Sequence, residues 1–219
     1  MEDQMRIICA KCGAALVPDG ENKIYRCNYC GVAYGSSVLF DEKAVNKARK
    51  SLEDGEFIEA DVRYTCVLMR NPQDPEALRG RILCAGKWKN FEGIEASGGF
   101  SSVRLKNIRE RIEDAIYKAD EDDKDYFRKI QKFIDWLEKV CEDETRLKPV
   151  VEKFKEFVNR RGYIPGVDAY SPAAVDHTRS GLEEDIKNLQ LQRDADKEEM
   201  NAACREILNE ESLRGYQAL

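Results

Sequence analysis

Four cysteines near the N-terminus are the most informative residues of the sequence. They form two Cys-x-x-Cys pairs, and a glycine follows each pair. Fourteen residues separate the first pair, Cys9 and Cys12, from the second pair, Cys27 and Cys30. Thiolates at this spacing can converge on one metal ion, and a glycine after each pair lets backbone N–H groups turn toward the sulfur atoms. The pattern predicts a four-thiolate metal site.

Two alternatives to a zinc site follow from the same cysteines. A redox dithiol needs only one Cys-x-x-Cys pair and usually lies where a strand meets a helix in a βαβ unit, a context that this stretch lacks. Iron is an alternative metal, because a rubredoxin-like site uses the same four thiolates. In either metal site the thiolates fill a tetrahedral ion and leave no position for water. The metal is therefore expected to be structural.

The residues between the two pairs read as a β-hairpin. Residues 14–17 and 23–26 have the character of short strands, and the turn between them contains Asp19 and Gly20. With its repeated C-x-x-C-G motif, the stretch 5–36 resembles a zinc ribbon, in which two such knuckles hold one structural metal ion. The resemblance implies one structural Zn²⁺ with the ligands Cys9, Cys12, Cys27 and Cys30.

Helical periodicity begins near residue 41. One helix is expected from Asp41 to about Asp54, where a glycine ends it, and a second from Glu56 to Arg70. This hairpin resembles a tetratricopeptide repeat, because small, turn, aromatic and helix-ending residues stand at that family's spacings, namely Ala48, Gly55, Phe57, Ala60, Tyr64, Leu68 and Pro72. A Gly/Ser-rich segment, 89–102, then stands where a second hairpin would continue. The resemblance implies a repeat-like helical domain that binds a peptide or protein.

The remainder of the sequence is acidic and helical. Apolar positions predict one helix from Val103, another from Asp125 and a third over 147–158. The last helix has a heptad pattern that is typical of a coiled coil, formed by Leu182, Ile186, Leu189, Met200, Ala203 and Ile207. Arg193 and Asp196 interrupt this pattern with charge. The helix therefore pairs within the chain or with a second copy, and the two charges favour pairing within the chain.

The sequence as a whole predicts a mainly α fold. A small N-terminal β zinc ribbon is followed by a helical domain that combines a repeat-like hairpin with long helices. The expected segments are the ribbon at 1–38, the tetratricopeptide-like hairpin and its following helix at 41–92, and a helical bundle or coiled-coil region at 102–219. Four further cysteines lack metal-ligand spacing and are expected to be structural, namely Cys66, Cys84, Cys141 and Cys204.

Composition limits the classes of function. The net charge is −6, from 36 basic and 42 acidic residues, and no basic block stands out, so neither nucleic acid nor an anionic membrane is a favoured partner. No apolar run approaches the roughly 20 residues of a membrane helix, and the N-terminus is acidic where a signal peptide is basic. These features predict a cytoplasmic protein without a membrane partner. No P-loop, GxGxxG, nucleophile elbow or HExxH motif is present, so a non-enzymatic protein is expected.

The function that the sequence favours is that of an interaction or scaffold protein, an adaptor with a structural zinc ribbon and a helical domain that binds another protein or peptide. The combination resembles small bacterial ribbon-plus-repeat proteins. A nucleic-acid-associated regulator is the alternative, in which the ribbon contacts DNA or RNA through Arg6, Lys11, Lys23, Arg26, Tyr25 and Tyr29. The heptad pattern would also allow a homo-oligomer to form through the C-terminal helix.

Overall fold

A small antiparallel sheet near the N-terminus is followed by helices, as the sequence predicts. A computed structural model describes residues 7–39, 41, 43–95, 100–160 and 172–216. The strands run in the order β1-β2-β3 and have the bounds Val17–Asp19 (β1), Ile24–Arg26 (β2) and Ala33–Gly35 (β3). The helices are Ser36–Leu39 (α1), Ala44–Glu53 (α2), Phe57–Arg70 (α3), Pro75–Gly86 (α4), Ser102–Lys118 (α5), Glu121–Arg160 (α6) and Pro172–Leu213 (α7). The mainly α fold with an N-terminal β element is confirmed.

The hairpin between the cysteine pairs is confirmed, but its first strand lies three residues later than predicted. Val17 pairs with Arg26, and the Asp19 carboxylate accepts hydrogen bonds from the backbone and side chain of Asn22 in the turn. The residues before Val17 instead pair with residues 7–9, since the N–H of Leu16 donates to the carbonyl of Ile7. The third strand, β3, was not predicted.

The helical hairpin α2–α3 confirms the packing that the small and aromatic residues indicate. Ala48 and Ala60 are fully buried, Tyr64 is 1% exposed, and Gly55 adopts a φ of +80° at the turn. Phe57 is only half-buried. The Asp74 carboxylate then caps α4 by accepting the N–H of Ala77 at 2.9 Å.

A second helical pair is present where the sequence suggested an interruption. Helix α4 packs against both α3 and α5, so the Gly/Ser-rich segment connects two helices of a second hairpin. On α5 the buried residues are Leu105, Ile108, Ile112 and Ala115. Sequence periodicity identified these helices but not their pairing, because the loop between them is longer than a repeat allows.

Two predicted helices are in fact one continuous helix, α6. It begins at Glu121, four residues before the predicted start, because acidic side chains in a first turn interact favourably with the helix dipole. It also continues through Pro149, which removes one backbone hydrogen bond. The apolar side chains Leu137, Val140 and Leu147 remain buried along this helix, so packing maintains it through the predicted break.

The chain divides into two compact units whose boundaries differ from the three predicted segments. The first unit contains residues 1–94, 102–131 and 207–219, and the second contains 95–101 and 132–206. Within the second unit, α6 and α7 run antiparallel, since Lys132 pairs with Glu206 while Glu144 pairs with Arg193. The heptad face of α7 therefore packs within the chain over this range.

The charged interruption of the heptad pattern contains a carboxyl pair. Asp143 of α6 is 4% exposed, and burial together with the neighbouring Asp196 carboxyl raises its pKa. Its Oδ2 atom has no hydrogen-bond partner among the described residues, and the Arg146 guanidinium lies 3.6 Å from Oδ1. The Arg193 guanidinium has a closer charged partner, because it donates a hydrogen bond to the Glu144 carboxylate with an N–O distance of 3.2 Å. The charged interruption thus contains an ion pair between Arg193 and Glu144 and lies beside a buried carboxyl, Asp143, whose pKa is raised.

Replacement of the Asp143 carboxyl by an amide tests its interaction with the Asp196 carboxyl. A raised folded-state pKa means that Asp143 stabilises the fold below its unfolded pKa and that this contribution is lost as pH rises through the folded pKa. Asp143→Asn is therefore expected to raise the free energy of unfolding at pH 7, by on the order of 1 kcal/mol, and to weaken the gain in stability on acidification. Urea unfolding from pH 4 to 7 measures both effects. Asp185→Asn, on an exposed position of α7, is the control. A loss of stability at pH 7 would show instead that the carboxylate is favourably paired with Arg146.

Candidate metal centre

Each cysteine pair lies in a tight turn closed by its glycine. The N–H of Gly13 donates to the carbonyl of Cys9, and the N–H of Gly31 donates to that of Cys27, both at 2.9 Å. The two glycines have φ values of +74° and +77°, in the left-handed region that L side chains rarely adopt. The predicted pair of equivalent knuckles is therefore present.

The two knuckles bring all four sulfur atoms together. Every pair of these atoms lies within 4.8 Å, with Sγ–Sγ distances of 3.6 Å for Cys9–Cys30 and 3.4 Å for Cys12–Cys27. A tetrahedral zinc ion with Zn–S bonds of about 2.3 Å places its sulfur ligands about 3.8 Å apart. A disulfide requires about 2.0 Å, and all four cysteines are free. The donor set and spacing fit one tetrahedral metal ion.

The thiols of the cluster differ in how readily they ionise. Burial opposes ionisation of Cys9, but hydrogen bonds from the Lys11 amide and the Tyr34 hydroxyl lower its pKa to about 6. The Cys30 amide lowers the pKa of Cys27. At Cys12 the Ala14 amide favours the thiolate, but desolvation and the neighbouring sulfur atoms outweigh it and raise the pKa to about 12. A bound divalent cation would offset the electrostatic repulsion among neighbouring thiolates and would favour the ionised form of all four cysteines.

The core around the sulfur atoms extends into the helices. Residues 7–35 are called the N-terminal lobe below. Its buried cluster consists of Ile7, Cys9, Leu16, Cys27, Leu39 and Met69, of which Leu39 belongs to α1 and Met69 to α3. The N–H of Ile8 also donates to the carbonyl of Met69 at 3.4 Å. A metal ion that orders the lobe would therefore also hold a surface against α3.

Residues around the cysteines were less predictable than the cysteine cluster itself. The hydroxyl of Tyr34 lies 3.7 Å from the Cys9 sulfur, a contact that the cysteine spacing does not indicate. The sequence does not indicate that Leu39 and Met69 contact the lobe, because this contact depends on how α1 and α3 pack. Met69 stands in an apolar run of α3, which predicts burial but not against which neighbour.

The residues of the nucleic-acid alternative lie at different places on the lobe. Lys11 and Tyr29 lie on the first and second knuckles, and the Tyr29 side chain is 84% exposed. Arg26 precedes Cys27 at the end of β2, whereas Lys23 lies in the β1–β2 turn. The three residues of β2 separate Lys23 from Cys27.

Tyr25 and Arg6 are the two remaining residues of the nucleic-acid alternative. Tyr25 is partly buried and packs against the core of the lobe. Arg6 lies outside the described residues. Nucleic-acid binding stays a prediction, which a steep loss of affinity with rising salt would test.

The other titratable groups that the structure describes form no second site of this kind. Among the residues that the structure describes, the four-cysteine cluster is the one group of three or more metal-binding side chains close enough to share an ion. Cys66 and Cys84 are buried in α3 and α4, and burial raises the pKa of Cys84 to about 12. His177 is exposed on α7.

Comparison with known proteins finds no matching family, no similar curated protein and no similar solved structure. Within the described ranges, no helix is both long and apolar enough to cross a lipid bilayer.

Proposed function

We propose that this chain is a non-enzymatic adaptor, in which a structural zinc ion orders the N-terminal lobe and the helices bind a segment of another protein. The observation that carries the proposal is the meeting of four cysteine sulfur atoms within 4.8 Å in a lobe whose core continues into α3. Zinc in such a site determines shape, because four thiolates leave no coordination position for a substrate or water.

Two features of the lobe support its interpretation as a zinc ribbon. The paired knuckles have equivalent turns, and a three-stranded antiparallel sheet accompanies them. The lobe has few buried apolar side chains of its own, and a fold of this size generally needs a metal or disulfides for stability. Zinc is the metal we propose, since tetrahedral thiolate coordination is its usual structural site in proteins.

The helical hairpins supply the proposed binding surface. Helices α2 and α4 are the first helices of the two hairpins and contact each other. A cavity of about 380 Å³ lies along them, lined by both charges and by an aromatic ring, including Arg49, Glu53, Glu76, Lys89 and Tyr216. Arg49 and Glu76 form a two-point ion pair with N–O distances of 2.9 and 2.8 Å. Because these two charges neutralise each other, the lining suits a peptide with polar groups of both kinds better than a reacting substrate.

Selection from a displayed library of random peptides against the zinc-loaded full chain tests this function. Peptides that bind the proposed surface should lose about tenfold or more in affinity when Arg49 and Lys89 are both changed to Glu. Lys187→Glu, on an exposed position of α7, is the matched control and should leave affinity unchanged. Failure to select any peptide, or affinity that is insensitive to the double substitution, would contradict the proposal.

A further inference from the structure

The last ten described residues, 207–216, pack on the helical hairpins at the same cavity. They are called the C-terminal arm. At its centre Glu211 is 3% exposed, and its carboxylate accepts hydrogen bonds from the Arg79 guanidinium of α4 and, at 2.8 Å, from the Tyr126 hydroxyl of α6. Arg79 and Glu211 lie 132 positions apart in sequence. The arm therefore supplies a carboxylate to a buried cation of a distant helix.

The Arg79 guanidinium is held by aromatic rings as well as by the carboxylate. It lies 5.8 Å from the centroid of Phe91 and 5.2 Å from that of Tyr216. One of these rings belongs to the hairpins and the other to the arm. Glu211 and Tyr216 of the arm therefore contact the same buried guanidinium, one through a charge-assisted hydrogen bond and the other through a cation–π contact.

The surrounding contacts of the arm are also mainly ionic. Glu210 lies 3.0 Å from Lys129, and Arg214 pairs with Asp123 and lies 4.9 Å from the Tyr126 ring. Among the ten residues of the arm, all of which the structure describes, Ile207 is the buried apolar side chain, whereas Leu213 is 85% exposed.

This composition favours exchange of the arm with another segment. Ion pairs at a surface contribute little net free energy, and buried pairs about offset their own desolvation, so they hold a segment less firmly than apolar packing does. The cavity beside the arm, bordered by Gly215 and Tyr216, shows in addition that the arm does not fill the surface. A segment with the same acidic and aromatic groups has room to compete for Arg79.

We propose that the surface around Arg79 binds a protein segment that carries a carboxylate in the last turn of a helix and, five residues later and beyond the helix end, an aromatic ring, and that the C-terminal arm is the intramolecular occupant of this site. The proposal rests on the proposed function, because it names the partner class and the regulation of the same surface. Occupancy by the arm lowers the apparent affinity for a partner in proportion to the fraction of chains in which the site is open.

A labelled peptide with the sequence of residues 205–216, REILNEESLRGY, tests the site in the full chain. The double variant Glu211→Gln and Tyr216→Ala should bind this peptide about tenfold more tightly than the wild-type chain does. The same peptide with Gln in place of the glutamate that corresponds to Glu211 should bind the variant about tenfold more weakly. Leu213→Ser in the chain, at an exposed position of the arm, is the matched control and should bind like the wild type.

Equal affinity of the variant and wild-type chains for the peptide, or equal affinity of the two peptides for the variant, would overturn the proposal. If the variant does not fold, hydrogen exchange of the wild-type chain decides. Amides of the arm should exchange about tenfold faster than those of α3. Equal protection of the two segments would show that the arm is a permanent part of the core and would overturn the proposal. Library peptides whose binding depends on Arg49 and Lys89, but which bind the wild-type chain and the double variant equally, would support the proposed function. They would also show that the arm does not occupy the binding site.

Discussion

Cys27→Ser should abolish stoichiometric zinc binding and unfold the N-terminal lobe while most of the helical signal persists. Cys27 is fully buried in the cluster that includes Leu39 and Met69, so the substitution removes a ligand and also disturbs the core of the lobe. Structural zinc binding contributes on the order of 10 kcal/mol to small zinc-dependent folds, far more than this lobe's few apolar contacts provide. The helices should remain folded but become less stable, because unfolding of the lobe exposes the Met69 side chain to water.

Metal analysis, circular dichroism and limited proteolysis of the full chain measure these effects. Cys141→Ser is the matched control, because Cys141 is a half-buried cysteine of α6 outside the cluster. It should retain the zinc content of the wild type. A Cys27→Ser chain that keeps one tightly bound zinc ion would contradict the ligand assignment. Collapse of the helical signal would show that the helices cannot fold without the lobe.

Gly80→Ala should destabilise the helical hairpins. A Cβ atom at Gly80 of α4 would lie 2.3 Å from the ring of Tyr64, which is 1% exposed on α3. Because neither helix can keep its position around the added methyl, a loss of about 1–3 kcal/mol is expected, reduced by up to about 1 kcal/mol through the better helix propensity of alanine.

The matched control is the same substitution at Gly181 of α7, where no atom lies within 4 Å of an added Cβ. Gly181→Ala should stabilise the chain by about 0.5–1 kcal/mol. Urea unfolding of the two variants should therefore give changes of opposite sign. Changes of equal sign and size would show that α3 and α4 do not pack this closely.

The four-cysteine cluster was predictable from the sequence because its information is local. Two Cys-x-x-Cys pairs with following glycines specify two knuckles, and the structure brings Cys9, Cys12, Cys27 and Cys30 together. The support around them was not predictable, because Met69 reaches the lobe only after α3 has packed. The hydroxyl of Tyr34 likewise approaches Cys9 through β3, a strand that the sequence pattern did not reveal.

The helical elements were predicted more reliably than their contacts. Ala48, Ala60 and Tyr64 identified the first hairpin because close helix packing requires small and aromatic residues at fixed spacings. The second hairpin was missed because a long loop separates its helices. Contacts of the C-terminal arm, such as Arg79 with Glu211, depend on residues more than a hundred positions apart, and no local pattern encodes them.

Zinc-edge X-ray absorption of the purified full chain tests the proposed assignment of one structural zinc ion to the four cysteines, because it reports the number, type and distance of the ligands. This assignment predicts about one zinc per chain with four sulfur ligands at about 2.3 Å and no oxygen or nitrogen ligand. A chain purified without chelators that contains no zinc, or a spectrum with an oxygen ligand in place of a sulfur, would contradict it.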